Sequence, residues 1–299
     1  MKTRPSTISD YKTRFNGLVT DHGREVGLNF QPRPTDIIIS PFNKSGTTWL
    51  QQIIHSLRTR GDMDFDDISR VVPWLEMSTD LGIDIEAEQR GNPRAFKSHL
   101  TWHDVPKGGR YIVPIRDPKD VLVSAFHFSE GWFFERGAFS LEEWAEASYM
   151  NPSEGHGYWH HLLSWWPQHE RDNVFLLTFE QMKANLPETV RRVATFAGIE
   201  LDNELFDLVV HQASFAFMQK HKDRFDDRLM RARSEIVGQL PAGSDASKVR
   251  SGKVGSHKKE LSPELNEQID ARWAELIEPV LGYASYAELA QTLAFSPKG

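Results

Sequence analysis

Four apolar runs of strand length, spaced by stretches of helical periodicity, constrain this chain more than any other feature. They are Asp36–Ser40 (DIIIS), Arg94–Lys97 (RAFK), Arg110–Ile115 (RYIVPI) and Asn173–Thr178 (NVFLLT). Such alternation predicts an α/β fold with a central, mostly parallel sheet flanked by helices. After the first run, Trp49, Ile53, Ile54 and Leu57 recur at helical spacing. After the third, Asp117 is a candidate N-cap with Pro118 at the first helical position. After the fourth, Leu186, Val190, Val193 and Ala197 form a stripe that Gly198 stops. Near the end, Ser262 and Pro263 start another helix, with Gly282 as its stop. No repeat or linker divides the 299 residues, so a single domain over 1–299 is expected. Residues Gln219–Ser256 lack clean periodicity and read as a long mobile loop with short helical pieces, of the kind that serves as a lid.

The bulk properties narrow the function. A net charge of −7 and a pI near 6.0 argue against a nucleic-acid-coating protein. The densest basic stretch, Gln219–Glu235, is interleaved with acids and reads as a solvated face. Without cysteine there is no disulfide, thiolate metal site or cysteine nucleophile. The N-terminal residues lack the apolar run of a signal peptide, and no apolar stretch is long enough to span a membrane. A cytoplasmic location is expected.

The junction Asp36–Leu57 is the first site candidate. A strand that feeds a Ser/Gly/Thr loop and then a helix gathers unpaired N–H groups at the positive end of the helix dipole. Gly46 allows the tight turn, Thr47 and Thr48 add hydroxyls, and Lys44 adds a charge. Yet Lys44 precedes Gly46, whereas in the triphosphate motif G-x-x-x-x-G-K-[ST] the lysine follows the glycine. A capped helix with an exposed lysine explains the same residues. The second candidate is Arg116, at the end of its strand where open α/β sheets gather ligands, with Ser124 two helical turns on. A surface ion pair to Asp117 or Asp120 is its alternative. The third is the glycine-broken basic segment holding Arg250, Gly252, Lys253, Gly255, Lys258 and Lys259. Three basic sites suggest a ligand with more than one anionic group.

Together these residues resemble the sulfotransferase family that uses 3′-phosphoadenosine 5′-phosphosulfate, PAPS. FNKSGTTW resembles the family's phosphosulfate loop, with Asn43 where proline is usual; this implies Lys44, Ser45, Gly46, Thr47, Thr48 and Trp49 as ligands. IRDPKDVLVSAFHF resembles the 3′-phosphate element, through Arg116 and Ser124. FKSHL resembles the catalytic-histidine segment, here His99. TFEQMKANL places Phe179 where a tyrosine is common, and HQASFAFM places Ala213, Ser214, Phe215 and Met218 at adenine. RSGKVGSHKKEL resembles the C-terminal cofactor segment, through Arg250, Ser251 and Gly252, with His257 where tryptophan is usual. The family's dimer motif would fall on Lys258–Glu267, where Ser262 and Pro263 occupy its centre, so a homodimer is left open.

The resemblance implies a P-loop-like architecture and transfer of a sulfuryl group from PAPS, leaving adenosine 3′,5′-bisphosphate, PAP. In-line displacement needs little covalent help from the protein, and Lys44 with backbone donors is expected to replace a metal. Lys44 would stabilise leaving-group charge, and His99 would take the proton of an acceptor hydroxyl or amine. Lys97, on the same side of the extended segment, would assist at the sulfuryl group or serve a structural role. Aromatic residues Phe42, Phe126, Trp132, Phe133, Phe134, Tyr158 and Trp159 would line an apolar pocket for a small acceptor, with Phe42, Phe126 and Tyr158 foremost. His156 and His160 have i, i+4 spacing but no accompanying metal motif, so no metal site is expected. A magnesium-dependent kinase of related fold and a non-catalytic nucleotide-binding module are the competing functions.

Overall fold

The computed structural model describes residues 2–15, 17–152, 155–244, 246–249 and 252–294. Its sheet consists of β1 (Ile37–Ile39), β2 (Ala95–Lys97), β3 (Arg110–Ile115) and β4 (Val174–Thr178), all parallel, in the order β2-β1-β3-β4. The register sets Ile39 beside Lys97 on one side and beside Ile112 on the other. Eight helices position the site: α1 (Ile8–Phe15), α2 (Thr47–Thr59), α3 (Pro118–Ser129), α4 (Gly157–Trp165), α5 (Leu186–Ala197), α6 (Phe215–Lys220), α7 (Arg228–Val237) and α8 (Pro263–Leu276).

Side chains of one strand alternate between two cores. Ile37 and Ile39 join Ala95, Ile112, Phe175 and Leu177 under α2 and α5. Ile38 joins Phe96, Tyr111, Val113 and Leu176 under α3, α4 and α8. All three isoleucines are fully buried, each worth ~1.5–3 kcal/mol of transfer free energy. From β1 the chain passes to β2 on one side and then crosses to β3 on the other, so the carboxyl end of β1 is the switch point where an α/β sheet opens a crevice.

Capping follows the sequence cues. The Asp117 carboxylate accepts from Lys119 N–H with Pro118 at the first position, and the Ser262 hydroxyl accepts from Leu265 N–H. Gly198 ends α5 at φ 69°, a left-handed turn that suits glycine.

The stripe Leu186–Ala197 is α5 as expected, and a separate short helix, Phe179–Ala184, precedes it; Asn185 ends that helix and caps α5, with Pro187 near its start. Two expectations are corrected. The C-terminal helix stops at Leu276, ahead of the separate turn Glu278–Leu281 that contains Pro279, before Gly282 turns left-handed. Residues Gln219–Ser256 contain the ten-residue α7 and bury Met230, Ser234, Leu240 and Ala246. Periodicity missed α7 because polar groups anchor it. Arg231 donates to the carbonyls of Asp226 (2.7 Å) and Ser244 (3.3 Å). Arg233 donates to those of Leu18 (2.5 Å) and Asp80 (3.2 Å).

At the entry to β1 and β2, the Arg94 guanidinium donates twice to the Asp36 carboxylate, at 2.6 and 3.1 Å, and both side chains are buried. Removing one partner strands a buried charge, so Arg94→Met alone should cost ~3–5 kcal/mol in urea denaturation. The double variant Asp36→Leu/Arg94→Met should lose less than Arg94→Met does.

Candidate active site

A cleft of about 850 Å³ opens at the carboxyl ends of the strands. On its floor the β1 loop turns through Lys44 at φ 63° and Gly46 at φ 105°, both left-handed. A Cβ on Gly46 would sit 3.1 Å from the Phe179 ring, so glycine is required by conformation and space. Gly46 also N-caps α2 without a capping side chain, which leaves the first-turn N–H groups turned to the cleft. Trp49 closes this wall by donating its indole N–H to the Ala213 carbonyl at 2.7 Å. That bond brings Ala213, Ser214, Phe215 and Met218 to the same cleft as Thr47, Thr48 and Phe179. The Lys44 ammonium lies 3.8 Å from the centre of the Phe128 ring.

Arg116 joins the loops. Its guanidinium donates to the Lys44 carbonyl (3.0 Å) and the Lys253 carbonyl (3.1 Å) and stacks 4.3 Å over Phe179. Its Nε is buried without a partner. Asp120 stands 3.9 Å away, four residues on in α3. Asp120 accepts from Gly255 N–H (2.7 Å), His257 N–H (3.1 Å), the His257 ring (2.9 Å) and the Ser256 hydroxyl (3.3 Å). His257, in place of the family's tryptophan, therefore latches the C-terminal segment to α3. Gly252 reaches the cleft at φ 55°, where a Cβ would meet Phe215 at 3.1 Å. Arg250 and Ser251 lie outside the described residues.

Beside this loop, β2 and the residues that follow it bring Lys97 and His99 to the same cleft. The His99 ring lies 2.8 Å from the Pro41 carbonyl through Nδ1. A carbonyl only accepts, so Nδ1 carries the proton and Nε2 keeps its lone pair. Burial, then the charge of Lys97, hold the ring well below the ordinary histidine range, so it is neutral near pH 7. Its backbone N–H donates to Glu76 at 2.6 Å, and its ring meets Trp74 edge-on at 5.2 Å. The buried Lys97 ammonium lies 3.6 Å over Trp74, and burial with the neighbouring Lys248 lowers it to about 7.

Of the acceptor-pocket residues, Phe42 and Phe133 line the cleft. Phe126 and Tyr158 do not: Phe126 packs on Phe134 and Trp144 in the core, and Tyr158 donates its hydroxyl to the Arg116 carbonyl at 2.7 Å. Trp132, Phe134 and Trp159 are likewise buried outside the lining. The apolar wall comes instead from Tyr11, Phe15 and Leu18 near the N-terminus, with Trp74, Phe128 and Met230. Ser45 is fully buried beneath the loop, its hydroxyl without a partner. Ser124 lines the cleft one turn of α3 beyond Asp120, on the same face. Among the described residues, no three His, Cys, Asp or Glu side chains gather as a metal cluster. Sequence reasoning missed Trp74, Glu76, Asp227 and Lys248, and it named Asp120 only as a surface partner of Arg116, without its bonds to the C-terminal segment.

The sulfotransferase domain model matches residues 34–279. Sulfotransferase 1B1 of Canis lupus familiaris is 32% identical over 254 residues, 81% of this chain and 83% of that protein. An amine sulfotransferase of Oryctolagus cuniculus is 28% identical over 257 residues, 83% and 82% of the two chains. In fold, retinol dehydratase solved with androsterone and the inactive cofactor PAP aligns with a TM-score of 0.67 at 19% identity, over 85% of this chain and 84% of that one. Mouse sulfotransferase SULT7A1 complexed with PAP aligns at 0.64 and 19%, over 93% of each. No described helix is long and apolar enough to cross a membrane.

The Asp120 latch has a direct consequence. Burial alone would raise its carboxyl, but the N–H groups of Gly255 and His257 outweigh that and hold it below the ordinary range. The latch is therefore complete at neutral pH and is lost as pH falls through that depressed value. Asp120→Asn should cost ~1–3 kcal/mol and speed hydrogen exchange at the Gly255 and His257 amides at pH 7, measured by mass spectrometry.

Proposed function

The chain belongs to the sulfotransferase family of PAPS-dependent transferases, and on that premise we propose a mechanism and an acceptor class for it. It transfers a sulfuryl group to a hydroxyl or amine of a small apolar or aromatic molecule, by in-line attack with His99 as general base. The observation that carries this reading is that His99, whose Nδ1 is engaged by Pro41, and the loop residues Lys44 and Gly46 line one cleft.

The residues present suit PAPS. Arg116 lines the cleft with its Nε without a partner, and the glycine at 46 leaves the backbone open to close approach; Ser45, fully buried and outside the lining, supports the loop from below. Arg116 and Ser124 would hold its 3′-phosphate, the first turn of α2 with Thr47 and Thr48 its 5′ end, and Phe179, Trp49, Ala213, Ser214, Phe215 and Met218 its base. Arg250, Ser251 and Gly252 would complete the site. When bound, PAPS supplies an activated sulfuryl group on a phosphate leaving group. Lys44 would stabilise charge developing on the leaving oxygen, and Lys97 would serve the sulfuryl oxygens as a cation. His99 Nε2 takes the acceptor proton. The Pro41 carbonyl holds the ring in the tautomer that this requires and stabilises the imidazolium that forms. Lys44 and the backbone donors fill the role a divalent metal has in triphosphate sites, so transfer proceeds without one. Phe42, Phe128, Phe133 and Trp74 present aromatic surface to the acceptor, which favours a phenol or an apolar alcohol.

His99→Ala should keep PAP affinity within about twofold and lower kcat by ~10²–10⁴; undiminished turnover would show that another group is the base. Because the ring is held well below the ordinary histidine range, wild-type kcat should show no acid limb between about pH 6 and 8. Rate measurements with labelled PAPS and a panel of phenols, steroids, sugars and amines test both the limb and the acceptor class.

A further inference from the structure

The 219–256 segment brings Asp227 and Lys248 into the cleft that Lys97 of β2 lines, two charges that the mechanism above leaves unused. The start of α7 is held there by Leu229 N–H, which donates to Asp67 at 3.0 Å, and by Met230, which packs in one cluster with the Trp74 that carries the Lys97 ammonium. Asp227 opens α7 at φ 50°, a left-handed conformation that aspartate adopts more readily than most residues with a Cβ. Its buried carboxylate is paired with the Lys248 ammonium. Beside it, Asp226 accepts from the Ser247 hydroxyl (2.9 Å) and Lys248 N–H (2.8 Å). One turn thus fixes Asp227 and Lys248 against each other, and both line the cleft with Lys97 and His99.

Lys97 has little freedom to escape this company. Its backbone is clamped on the side away from β1 by the Pro73 carbonyl at 2.7 Å, and its ammonium lies on Trp74. The charged and titratable groups that face it are Lys248, Asp227, Glu76, Asp67 and the neutral His99. Burial and Lys248 disfavour its ammonium form, whereas Asp227, Glu76 and Asp67 favour it. Asp227 in turn is held ionised, chiefly by Lys248 and Lys97, against the effect of its burial.

We propose that Asp227 and Lys248 are positioning residues that act in opposition on the protonation of Lys97, and so set the alkaline edge of sulfuryl transfer. The inference rests on the reading of Lys97 as a cationic partner of the sulfuryl oxygens. The ammonium form is lost as pH rises through the Lys97 midpoint, so turnover falls there. Asp227→Asn removes the attracting charge and moves the midpoint to lower pH. Lys248→Met removes the repelling one and moves it to higher pH. A purely structural role for either residue lowers activity without opposite displacements.

The test is an NMR titration of the lysine side-chain ¹³Cε–¹⁵Nζ signals in the full chain, with the Lys97 signal assigned by its loss in Lys97→Met. PAP affinity reports that each variant is folded. The proposal requires displacements of at least about half a pH unit in opposite directions. Displacements in the same direction, or none, overturn it; Asp227→Glu, which keeps the charge, should restore most of the wild-type midpoint. In parallel, kcat for transfer from labelled PAPS to a phenol is followed against pH. An alkaline edge that tracks the Lys97 midpoint in both variants supports the proposal. An edge that stays fixed while the midpoints move overturns the assigned role of Lys97 and leaves the charge coupling standing. Absence of transfer by the wild-type chain to any acceptor overturns the function reading itself.

Discussion

The guanidinium of Arg116 ties together three segments distant in sequence. It donates to the Lys44 carbonyl in the β1 loop and to the Lys253 carbonyl in the C-terminal segment, and it lies flat on Phe179 after β4. Each contact fixes a different wall of the cleft. The buried guanidinium is destabilised by its desolvation, and the nearest counter-charge, Asp120, stands 3.9 Å off while serving four other donors. Its Nε is left without a partner. An arginine so placed is short of anions, and a phosphate would supply what the protein withholds. The alternative pairing with Asp120 is present, but it is buried instead of at the surface and at 3.9 Å it does not satisfy the fork.

The charges around the reacting end follow a consistent pattern. Lys44 and Lys97 each rest on an aromatic face, Phe128 and Trp74, which favours a cation without neutralising it. His99 is kept neutral by burial and by Lys97 beside it. Two lysines and a neutral imidazole thus line one cleft; burial keeps His99 neutral and at Lys97 works against the cation, which the neighbouring carboxylates support.

Much of this was legible in the sequence because its signals are local. β3 begins and ends where its apolar run does, and β1, β2 and β4 shorten only by terminal polar residues whose side chains do other work. Asp36 and Arg94 form the buried ion pair, and Asn173 donates to the Gly109 carbonyl. Lys44, His99 and Arg116 stand at strand ends, where topology brings them together. What was not legible depends on contacts between distant residues. Nothing in the spacing of Trp74, Asp227 and Lys248 relates them to Lys97. Phe126 and Tyr158 were misplaced because aromatic composition does not distinguish a pocket wall from the core behind it. α7 was missed because arginine-to-carbonyl bonds, invisible to hydrophobic periodicity, hold it down.

The central claim is that this cleft is built for a nucleotide with a 3′-phosphate and needs no metal to bind it. Titration calorimetry in the presence of a chelator tests that most directly. Adenosine 3′,5′-bisphosphate should bind with a micromolar or tighter Kd, ~8 kcal/mol or more, and far more tightly than ATP does with magnesium. Preferential binding of ATP with magnesium would contradict the account.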